Sequence, residues 1–516
     1  MSMTTNRTAM NKHRQLPYVS SAYRYFNKSM RNRMGRMAHH SSNLVLNILG
    51  NTERLVNDIV RDAFDVTGEA DALLADAWER ADAVSTAIRS TPRFARIFGE
   101  FVRIVADYRL HSVKARFLNA DAAAQSLEAL HRRSAARIYN LCVEMRGGLI
   151  KIGQFASTYV NALPPVYAEY LSKLQDRVPP VPYDAIAHRI ESEFERPAEK
   201  VFAWIDREPI AAASLAQVHA GELMDGTPVV IKVQMPSIEH TVEIDLAAFK
   251  ITADLLNDYF PSLGLSEISR ALADSVQREL NYREELINIR EFEEQCRSDS
   301  RIAVPRVYPT VSTRRILTME KLEGDRLADF LEDAAPERRN RMLVLLAESF
   351  CSQIVTHGCF HADPHPGNIF VLPGDRLGLI DFGCVERFSS EIYSLYMQMI
   401  GAILTGDADA MARLFDEMGF ADAAVTGDSL DSMAADFIEL MMLQPGQSLA
   451  DVDAAQKLAR GLELLRQYPS VRVPRHFVLL GRVLLTLGGI MMHHNPDIDV
   501  FSLIFNEVAK KNAHDS

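Results

Sequence analysis

The sequence HADPHPGNIFVLPGDRLGLIDFGC occupies residues 361–384 and decides the fold. Asp363 is followed five residues later by Asn368, and thirteen residues after this asparagine comes Asp381, which opens an Asp-Phe-Gly sequence. Between them, the apolar runs Ile-Phe-Val-Leu and Leu-Gly-Leu-Ile flank a Pro-Gly-Asp turn. Two short apolar runs joined by a turn predict a β-hairpin.

The polar residues around this hairpin suit phosphoryl transfer, which needs Mg²⁺ held against the β- and γ-phosphates and a nucleophile held in line. Asp381 and Asn368 can supply oxygen ligands to the metal, and Asp363 can orient a nucleophile or accept its proton. The Asp-x-x-x-x-Asn spacing followed by Asp-Phe-Gly, with His361 just ahead, is that of the protein-kinase catalytic and metal-binding loops. The alternative is a surface loop rich in turn-forming residues, which the hairpin and the Asp-Phe-Gly disfavour.

A second stretch, AAASLAQV at residues 211–218, is compared with the kinase glycine-rich loop G-x-G-x-x-G-x-V. Alanines stand at the three glycine positions and Val218 at the valine, and Lys232 follows fourteen residues later within an apolar strand pattern. We predict a phosphate-binding loop and a strand lysine, with an ordinary helical alanine run as the alternative. Alanine restricts the backbone more than glycine, so altered nucleotide geometry is expected. The predicted loop residues are Ala211, Ala212, Ala213, Ser214 and Val218, with Ala216 at the third glycine position.

Kinases pair the strand lysine with a glutamate on a helix. Glu285 is the preferred candidate, with Glu279 and Glu284 as alternatives, and the interval of more than fifty residues after Lys232 leaves room for an extra helix. Residues 302–325 read as strands that lead into a hinge between lobes. The hinge residues expected to meet the adenine edge are Met319, Glu320 and Lys321.

Composition indicates a globular protein of two or three domains, with 516 residues, 47% of them hydrophobic and 24% charged. The net charge of −12 argues against general nucleic-acid binding. Five cysteines without a C-x-x-C pair indicate reduced intracellular thiols rather than a zinc site or disulfides. The most apolar segment, residues 477–492, is interrupted by Arg482, so a core helix rather than a transmembrane helix is predicted there.

The N-terminal residues 1–52 contain no Asp or Glu and eight Lys or Arg residues. We interpret them as a segment that meets anionic lipid headgroups, with a flexible basic tail and a transit peptide as alternatives. The expected location is the cytoplasm, with peripheral contact to the inner membrane. Residues 53–140 look helical, with Pro92 as the only breaker.

The stretch RGGLIKIGQFAS begins at Arg146 and predicts an amphipathic helix, because Leu149, Ile152, Phe155 and Ala156 share one face. Lys151 and Gln154 share the polar side. The pair Pro164-Pro165 is expected to end this helix, and Pro179-Pro180 to end the helix that follows.

Together these features resemble the UbiB/AarF family of unorthodox kinase-like proteins, which is tied to ubiquinone biosynthesis. Four elements over about residues 140–390 carry the resemblance. They are Lys151-Ile152-Gly153-Gln154 (the family's K-x-G-Q), the alanine loop, Glu279-Leu280-Asn281 (the family's E-x-D) and the loop from His361 to Asn368 with Asp381. The resemblance implies a kinase-like fold in which K-x-G-Q helices cover the cleft, and an Mg²⁺-dependent ATPase activity.

The resemblance also implies roles for single residues. Lys151 would reach toward the phosphates and be held by Glu279, Glu285 would pair with Lys232, and Gln154 would join the nucleotide-binding residues. Asn281 departs from the family's Asp, which puts any ion pair at that position in doubt. The membrane-spanning C-terminal helices of some family members have no counterpart here.

We therefore predict an α+β protein with a kinase-like two-lobed fold and an N-terminal helical extension that carries the K-x-G-Q helices. The predicted segments are a basic flexible segment (1–52), a helical extension (53–140), the K-x-G-Q subdomain (141–199), an N-lobe (200–325) and a helical C-lobe (326–516).

The predicted function is an atypical kinase or ATPase that uses ATP (or ADP) and Mg²⁺ and supports ubiquinone or other isoprenoid-lipid metabolism at a membrane surface. Lipid-biosynthesis enzymes are candidate partners, and the phosphoryl acceptor, water included, stays open. One alternative is a small-molecule phosphotransferase of the aminoglycoside or choline kinase type. Another is a nucleotide-gated, non-catalytic scaffold for lipid enzymes.

Overall fold

A computed structural model of the chain describes residues 80, 84–89, 91–157, 164–174, 178–259, 265–420, 427–441 and 474–514. The predicted basic segment 1–52 lies outside these ranges. The chain divides into two compact units. The first comprises Met1–Asp176 and Ser237–Asp274, and the second comprises Arg177–Pro236 and Ser275–Ser516.

The first unit is helical in its described part. Its helices are α1 (Thr86–Arg89), α2 (Pro92–Ala115), α3 (Ala120–Met145), α4 (Gly148–Ser157), α5 (Pro165–Leu171), α7 (Ile238–Tyr259) and the first part of α8 (Leu265–Glu279). α1 ends at Arg89 and α2 begins at Pro92, so the helical chain breaks here as predicted. Proline is suited to the first helical position, where its missing amide loses no hydrogen bond. The side chain of Thr91 caps this end by accepting the amide of Phe94 at 3.1 Å. α2 then packs against α3 and α7.

The second unit contains the remaining described elements. They are α6 (Tyr183–Phe194), β1 (Trp204–Ile205), β2 (Ala211–Ala212), β3 (Ala216–Glu222), β4 (Pro228–Gln234), α9 (Tyr282–Gln295), β5 (Ile302–Ala303), β6 (Ile316–Glu320), β7 (Asp325–Arg326), α10 (Leu327–Asp333), α11 (Pro336–Val355), β8 (Cys359–His361), β9 (Ile369–Leu372), β10 (Arg376–Leu379), β11 (Val385–Arg387), α12 (Ser390–Thr405), α13 (Ala408–Glu417), α14 (Gly427–Met441), α15 (Arg475–His494) and α16 (Val500–His514).

The first part of this unit is an antiparallel sheet in the order β1–β3–β4–β6, with β2 also paired to β3. Alternate residues of β4, including Val229 and Ile231, pack against Ile186 and Ile190 of α6 in one apolar cluster. Since successive side chains of a strand point to opposite faces, Lys232 points away from α6.

The second part is mainly helical around a large apolar core. The predicted hairpin is confirmed, because β9 and β10 pair antiparallel with Ile369 opposite Leu379. Its turn uses left-handed backbone at Gly374 and Asp375, with φ of 82° and 56°. A sheet lobe followed by a helical lobe confirms the predicted kinase-like two-lobed fold. No helix in the described residues combines the length and the hydropathy that a membrane span requires.

Candidate active site

Lys232 on β4 and Glu285 on α9 form a buried ion pair. The lysine Nζ donates to both carboxylate oxygens of Glu285, at 2.8 and 2.9 Å. The side chain of Glu285 is 4% exposed and that of Lys232 is 17% exposed. The glutamate that pairs with the strand lysine is therefore Glu285. The Glu284 carboxylate instead accepts a hydrogen bond from the side-chain Nδ2 of Asn281 at 2.8 Å.

Lys232 also faces the Asp-Phe-Gly sequence. Its Nζ lies 3.7 Å from Oδ1 of Asp381 and 5.2 Å from the centre of the Tyr282 ring. Burial, the largest influence, lowers the pKa of Lys232, but the carboxylates of Asp381 and Glu285 outweigh it and hold that pKa well above its usual value. The site thus keeps one fixed positive charge between two carboxylates.

Three residues on one face of α9 hold Phe382. Glu285 accepts the amide of Phe382, and the Asn288 side chain donates to its carbonyl at 2.8 Å. The rings of Phe292 and Phe382 meet edge to face, with centroids 5.1 Å apart. Residues at i, i+3 and i+7 share a helical face, so one side of α9 fixes both the peptide and the ring. Phe382 is fully buried as a result.

His361 connects the segment around Asp363 to the Asp-Phe-Gly segment. Its Nδ1 accepts the amide of Asp363 at 3.2 Å, which leaves the proton on Nε2 to be donated to the carbonyl of Asp381. Burial lowers the pKa of His361, so this imidazole is neutral near pH 7. Its own amide donates to Gln353 of α11 at 3.0 Å.

Asp363, Asn368 and Asp381 lie close to each other at the ends of the hairpin. The side-chain Nδ2 of Asn368 donates to Oδ2 of Asp363 at 3.2 Å. The backbone carbonyl of Asn368 accepts the backbone amide of Ile380, next to Asp381, at 3.1 Å. Oδ1 of Asp381 accepts the amide of Gly383 at 3.0 Å, and this carboxylate remains 44% exposed. Two carboxylates and one amide oxygen are therefore available at one accessible place.

This donor set fits Mg²⁺. Within the described part of the chain, no three His, Cys, Asp or Glu residues group as a self-sufficient metal site. Mg²⁺ rarely needs one, because it is usually held by one or two carboxylates and completes its octahedron with phosphate oxygens and water. Asp381 and Asn368 are the oxygen donors that would hold it.

The alanine stretch forms a tight hairpin between β2 and β3. Ala211 pairs with Val218, and the amide of Ala213 donates to the carbonyl of Ala216 at 2.8 Å. Ser214 is buried at the tip. None of the residues 211–218 has a positive φ. Alanine can therefore replace glycine here, since the turn uses backbone conformations open to any residue.

The predicted hinge comprises the last two residues of β6 and the residue that follows it. Met319 is buried, whereas Glu320 and Lys321 are exposed. The amide of Glu320 donates to the carbonyl of Arg306 at 2.7 Å, and its carboxylate accepts the amide of Arg306 at 3.1 Å. This amide is thus already engaged within the sheet lobe.

The K-x-G-Q helix, α4, belongs to the first unit and is described within it. Leu149, Ile152 and Ala156 are buried, as the amphipathic pattern predicts. A Cβ on Gly153 would overlap the Leu174 side chain, and the Gln154 side chain donates to the Leu174 carbonyl at 3.1 Å. Lys151 is half-buried on this helix.

A buried ion pair in the same unit holds the start of α4. Arg93 pairs with Asp245 at 2.6 Å and donates to the carbonyl of Met145 at 2.7 Å. Asp245 accepts the amides of Gly148 and Leu149. Burial raises the pKa of Asp245 to about 6, against the Arg93 charge, so the carboxylate is still mostly ionised at pH 7. The pair thus connects the end of α3 to the beginning of α4.

Sequence reasoning missed several of these residues. Asn288 and Phe292 follow Glu285 at helical intervals, so they become candidates once Glu285 is selected. Gln353 and the Arg93–Asp245 pair carried no such signal, because their partners are defined only by the tertiary fold. Glu279, at the end of α8, is half-buried, and Oδ1 of Asn281 is buried without a hydrogen bond among the described residues.

Comparison with known proteins identifies the family. Residues 173–415 match the ABC1 atypical kinase-like domain. The chain is 31% identical over 364 residues to an Arabidopsis thaliana protein, the uncharacterized chloroplastic aarF domain-containing protein kinase At5g05200, covering 65% of this chain and 67% of that protein. The chain belongs to the ABC1 (UbiB/AarF) family. This family membership confirms the resemblance inferred from the sequence and supports a kinase- or ATPase-type enzyme in the broad sense.

Two further matches are a second plant protein and a solved structure. The chain is 32% identical over 384 residues to the chloroplastic Protein ACTIVITY OF BC1 COMPLEX KINASE 1 of Arabidopsis thaliana, covering 73% of this chain and 55% of that protein. Among solved structures, the complex of Rv3197 with erythromycin from Mycobacterium tuberculosis matches 75% of this chain and 97% of its own, with 24% identity and a TM-score of 0.49. The chain spans little more than half the length of several curated relatives that it matches.

Proposed function

We propose that this chain is an Mg²⁺-dependent, ATP-binding atypical kinase or ATPase. The observation that carries the proposal is the Lys232 ammonium held between the carboxylates of Glu285 and Asp381. A lysine ammonium beside an accessible carboxylate suits nucleotide binding, because the phosphates need both a positively charged side chain and a metal ion. Loss of the Lys232 charge or of the Asp381 charge should therefore strongly reduce turnover without a change in fold class.

Each residue has a separate role in this proposal. Lys232 would contact the α- and β-phosphates, while Asp381 and Asn368 would hold the metal. Bound Mg²⁺ would neutralise charge on the β- and γ-phosphates. Asp363 would orient the attacking water or hydroxyl and accept its proton, and the neutral His361 would hold the backbone of both loops. The alanine loop would bind the phosphates, and the hinge residues would contact the adenine. Lys151, Gln154 and Glu279 would act near the phosphates.

We also propose that the activity serves ubiquinone or another isoprenoid lipid at a membrane surface. Family membership supports this role, and so does the basic composition of residues 1–52, since each basic residue near an anionic surface contributes about 1 kcal/mol. Turnover should therefore rise when vesicles containing anionic lipid are added.

The test is phosphate release from Mg-ATP by the full-length chain and three variants. Lys232→Ala and Asp381→Asn should each reduce turnover by about 100-fold, as loss of a fixed charge in a catalytic site typically does. Asp375→Asn is the matched control, because Asp375 lies in the exposed hairpin turn and contacts Arg338 and Arg341. Undiminished hydrolysis in both site variants would refute the proposal. Nucleotide binding without turnover would favour the scaffold, and transfer to a soluble alcohol would favour the small-molecule kinase.

A further inference from the structure

The arginine that interrupts the apolar segment 477–492 contacts the catalytic loop. Its neighbour Val483 is fully buried in the core of the helical lobe, together with Leu480 and Leu487 on the same face of α15. The Arg482 side chain is 21% exposed. Its Nε donates to the carbonyl of Ala362 at 3.1 Å, and its Nη2 donates to the same oxygen.

The same guanidinium reaches both loops of the site. Nη2 lies 3.3 Å from Sγ of Cys384, directly after the Asp-Phe-Gly sequence, and 3.9 Å from Oδ1 of Asp363. The amide of Ala362 in turn donates to the carbonyl of Cys384 at 2.8 Å. The backbone amide and the backbone carbonyl of the fully buried Ala362 are thus both hydrogen-bonded.

We propose that Arg482 is a positioning residue for the phosphoryl transfer proposed above, on which this inference rests. Ordinary kinases have arginine between the His and Asp of the catalytic loop, whereas this chain has Ala362. Arg482 brings a guanidinium to that place from a helix 120 residues further along the chain. It fixes the carbonyl that precedes Asp363 and so sets the direction in which the Asp363 carboxylate points.

The contact requires the planar fork of arginine. Two guanidinium nitrogens converge on one carbonyl oxygen, and one of them also faces a thiol and a carboxylate. A lysine ammonium carries the same charge but only one nitrogen, so it cannot satisfy these partners together. Charge and geometry can therefore be separated by substitution.

The experiment compares Arg482→Met, Arg482→Lys and Leu485→Ala in the full-length chain. Leu485 is the matched control, because it lies on the same helix and is an exposed residue, with a relative accessibility of 44%. For each variant, kcat and KM for Mg-ATP hydrolysis and amide hydrogen exchange of residues 359–368 and 475–494 are measured. Arg482→Met should reduce kcat by about 10- to 100-fold with little change in KM, since misplacement of a reacting group has effects of this size. Loop exchange should accelerate about tenfold while α15 stays protected.

Arg482→Lys should fall between the wild type and Arg482→Met, and Leu485→Ala should match the wild type. Equal kcat and equal loop exchange in Arg482→Met and the wild type would overturn the inference. Faster exchange in α15 as well as in the loop would also overturn it, because it would indicate loss of helix packing. If the wild type hydrolyses no ATP, the proposed function fails, and exchange of the loop still decides whether Arg482 positions it.

Discussion

Replacing Glu285 with Gln should destabilise the second unit much more than an ordinary surface substitution. The change keeps the shape of the side chain and removes its charge. Among the described residues that form ion pairs with Lys232, Asp381 would then remain, at 3.7 Å and 44% exposed. A buried ammonium would be left with a single, partly solvated counter-charge.

The expected loss follows from the geometry of the ion pair. At 2.8 Å and an effective dielectric constant of about 20, the gross attraction between Lys232 and Glu285 is about 6 kcal/mol. Desolvation offsets part of this attraction, and breaking a buried pair by removing one partner costs about 3–5 kcal/mol. Because Asp381 remains, we expect the free energy of unfolding to fall by about 3 kcal/mol, at the lower end of that range.

The assay is urea-induced unfolding of the full-length chain, together with hydrogen exchange of β4 as a local measure. Glu284→Gln is the matched control, because the carboxylate of this exposed neighbour accepts a hydrogen bond from the side chain of Asn281 and does not pair with Lys232. This substitution should cost less than about 0.5 kcal/mol. The double variant Lys232→Met with Glu285→Gln should recover more than half of the loss, since no uncompensated charge remains. The reasoning is refuted if Glu285→Gln and Glu284→Gln lower the free energy of unfolding equally. It is also refuted if the loss in the double variant equals the sum of the losses in Lys232→Met and Glu285→Gln.

Two further predictions concern other parts of the chain. Burial lowers the pKa of His361 below its ordinary value of about 6.5. On acidification, His361 therefore takes up a proton at a higher pH in the unfolded chain than in the folded chain. The stability that neutral His361 contributes is therefore complete above about pH 6.5 and is lost on acidification, at up to about 1.4 kcal/mol per pH unit. The difference in unfolding free energy between the wild type and His361→Gln should shrink from pH 7.5 to pH 5, and a constant difference would contradict this. Asp245→Ala should cost the first unit about 3 kcal/mol, because it leaves Arg93 unpaired and two α4 amides uncapped. Thermal unfolding measures this loss, with exposed Glu243→Ala on the same helix as control, and equal melting temperatures would count against it.

Local patterns were sufficient for much of the fold. The hairpin after Asn368 follows from two apolar runs and a Pro-Gly-Asp turn, and its left-handed turn residues are those that such a turn requires. Lys232 could be assigned to a strand because it lies within the short β-branched run Val-Val-Ile-Lys-Val at residues 229–233. The predicted break at Pro92 agrees with the end of α1 at Arg89 and the start of α2. The prediction that Pro92 is the only breaker was wrong, because residues 116–119 separate α2 from α3 without a proline.

The contacts that organise the site depend on residues far apart in the chain. The sequence left three glutamates as partners of Lys232, and only the direction in which α9 faces the sheet distinguishes Glu285. The Arg93–Asp245 pair joins residues 152 positions apart, and Arg482 lies 120 positions after the carbonyl that it contacts. No periodicity connects such residues, since their proximity is created by packing of the whole core.

The central claim is that Asp381 holds a metal with nucleotide beside Lys232, and the most direct test is the melting temperature of the full-length chain with Mg-ATP. A ligand at one hundred times its dissociation constant should stabilise the folded chain by about 2.7 kcal/mol. We expect a shift that requires Mg²⁺ and is absent in Asp381→Asn. No shift with any nucleotide, or an equal shift in Asp381→Asn, would contradict the claim.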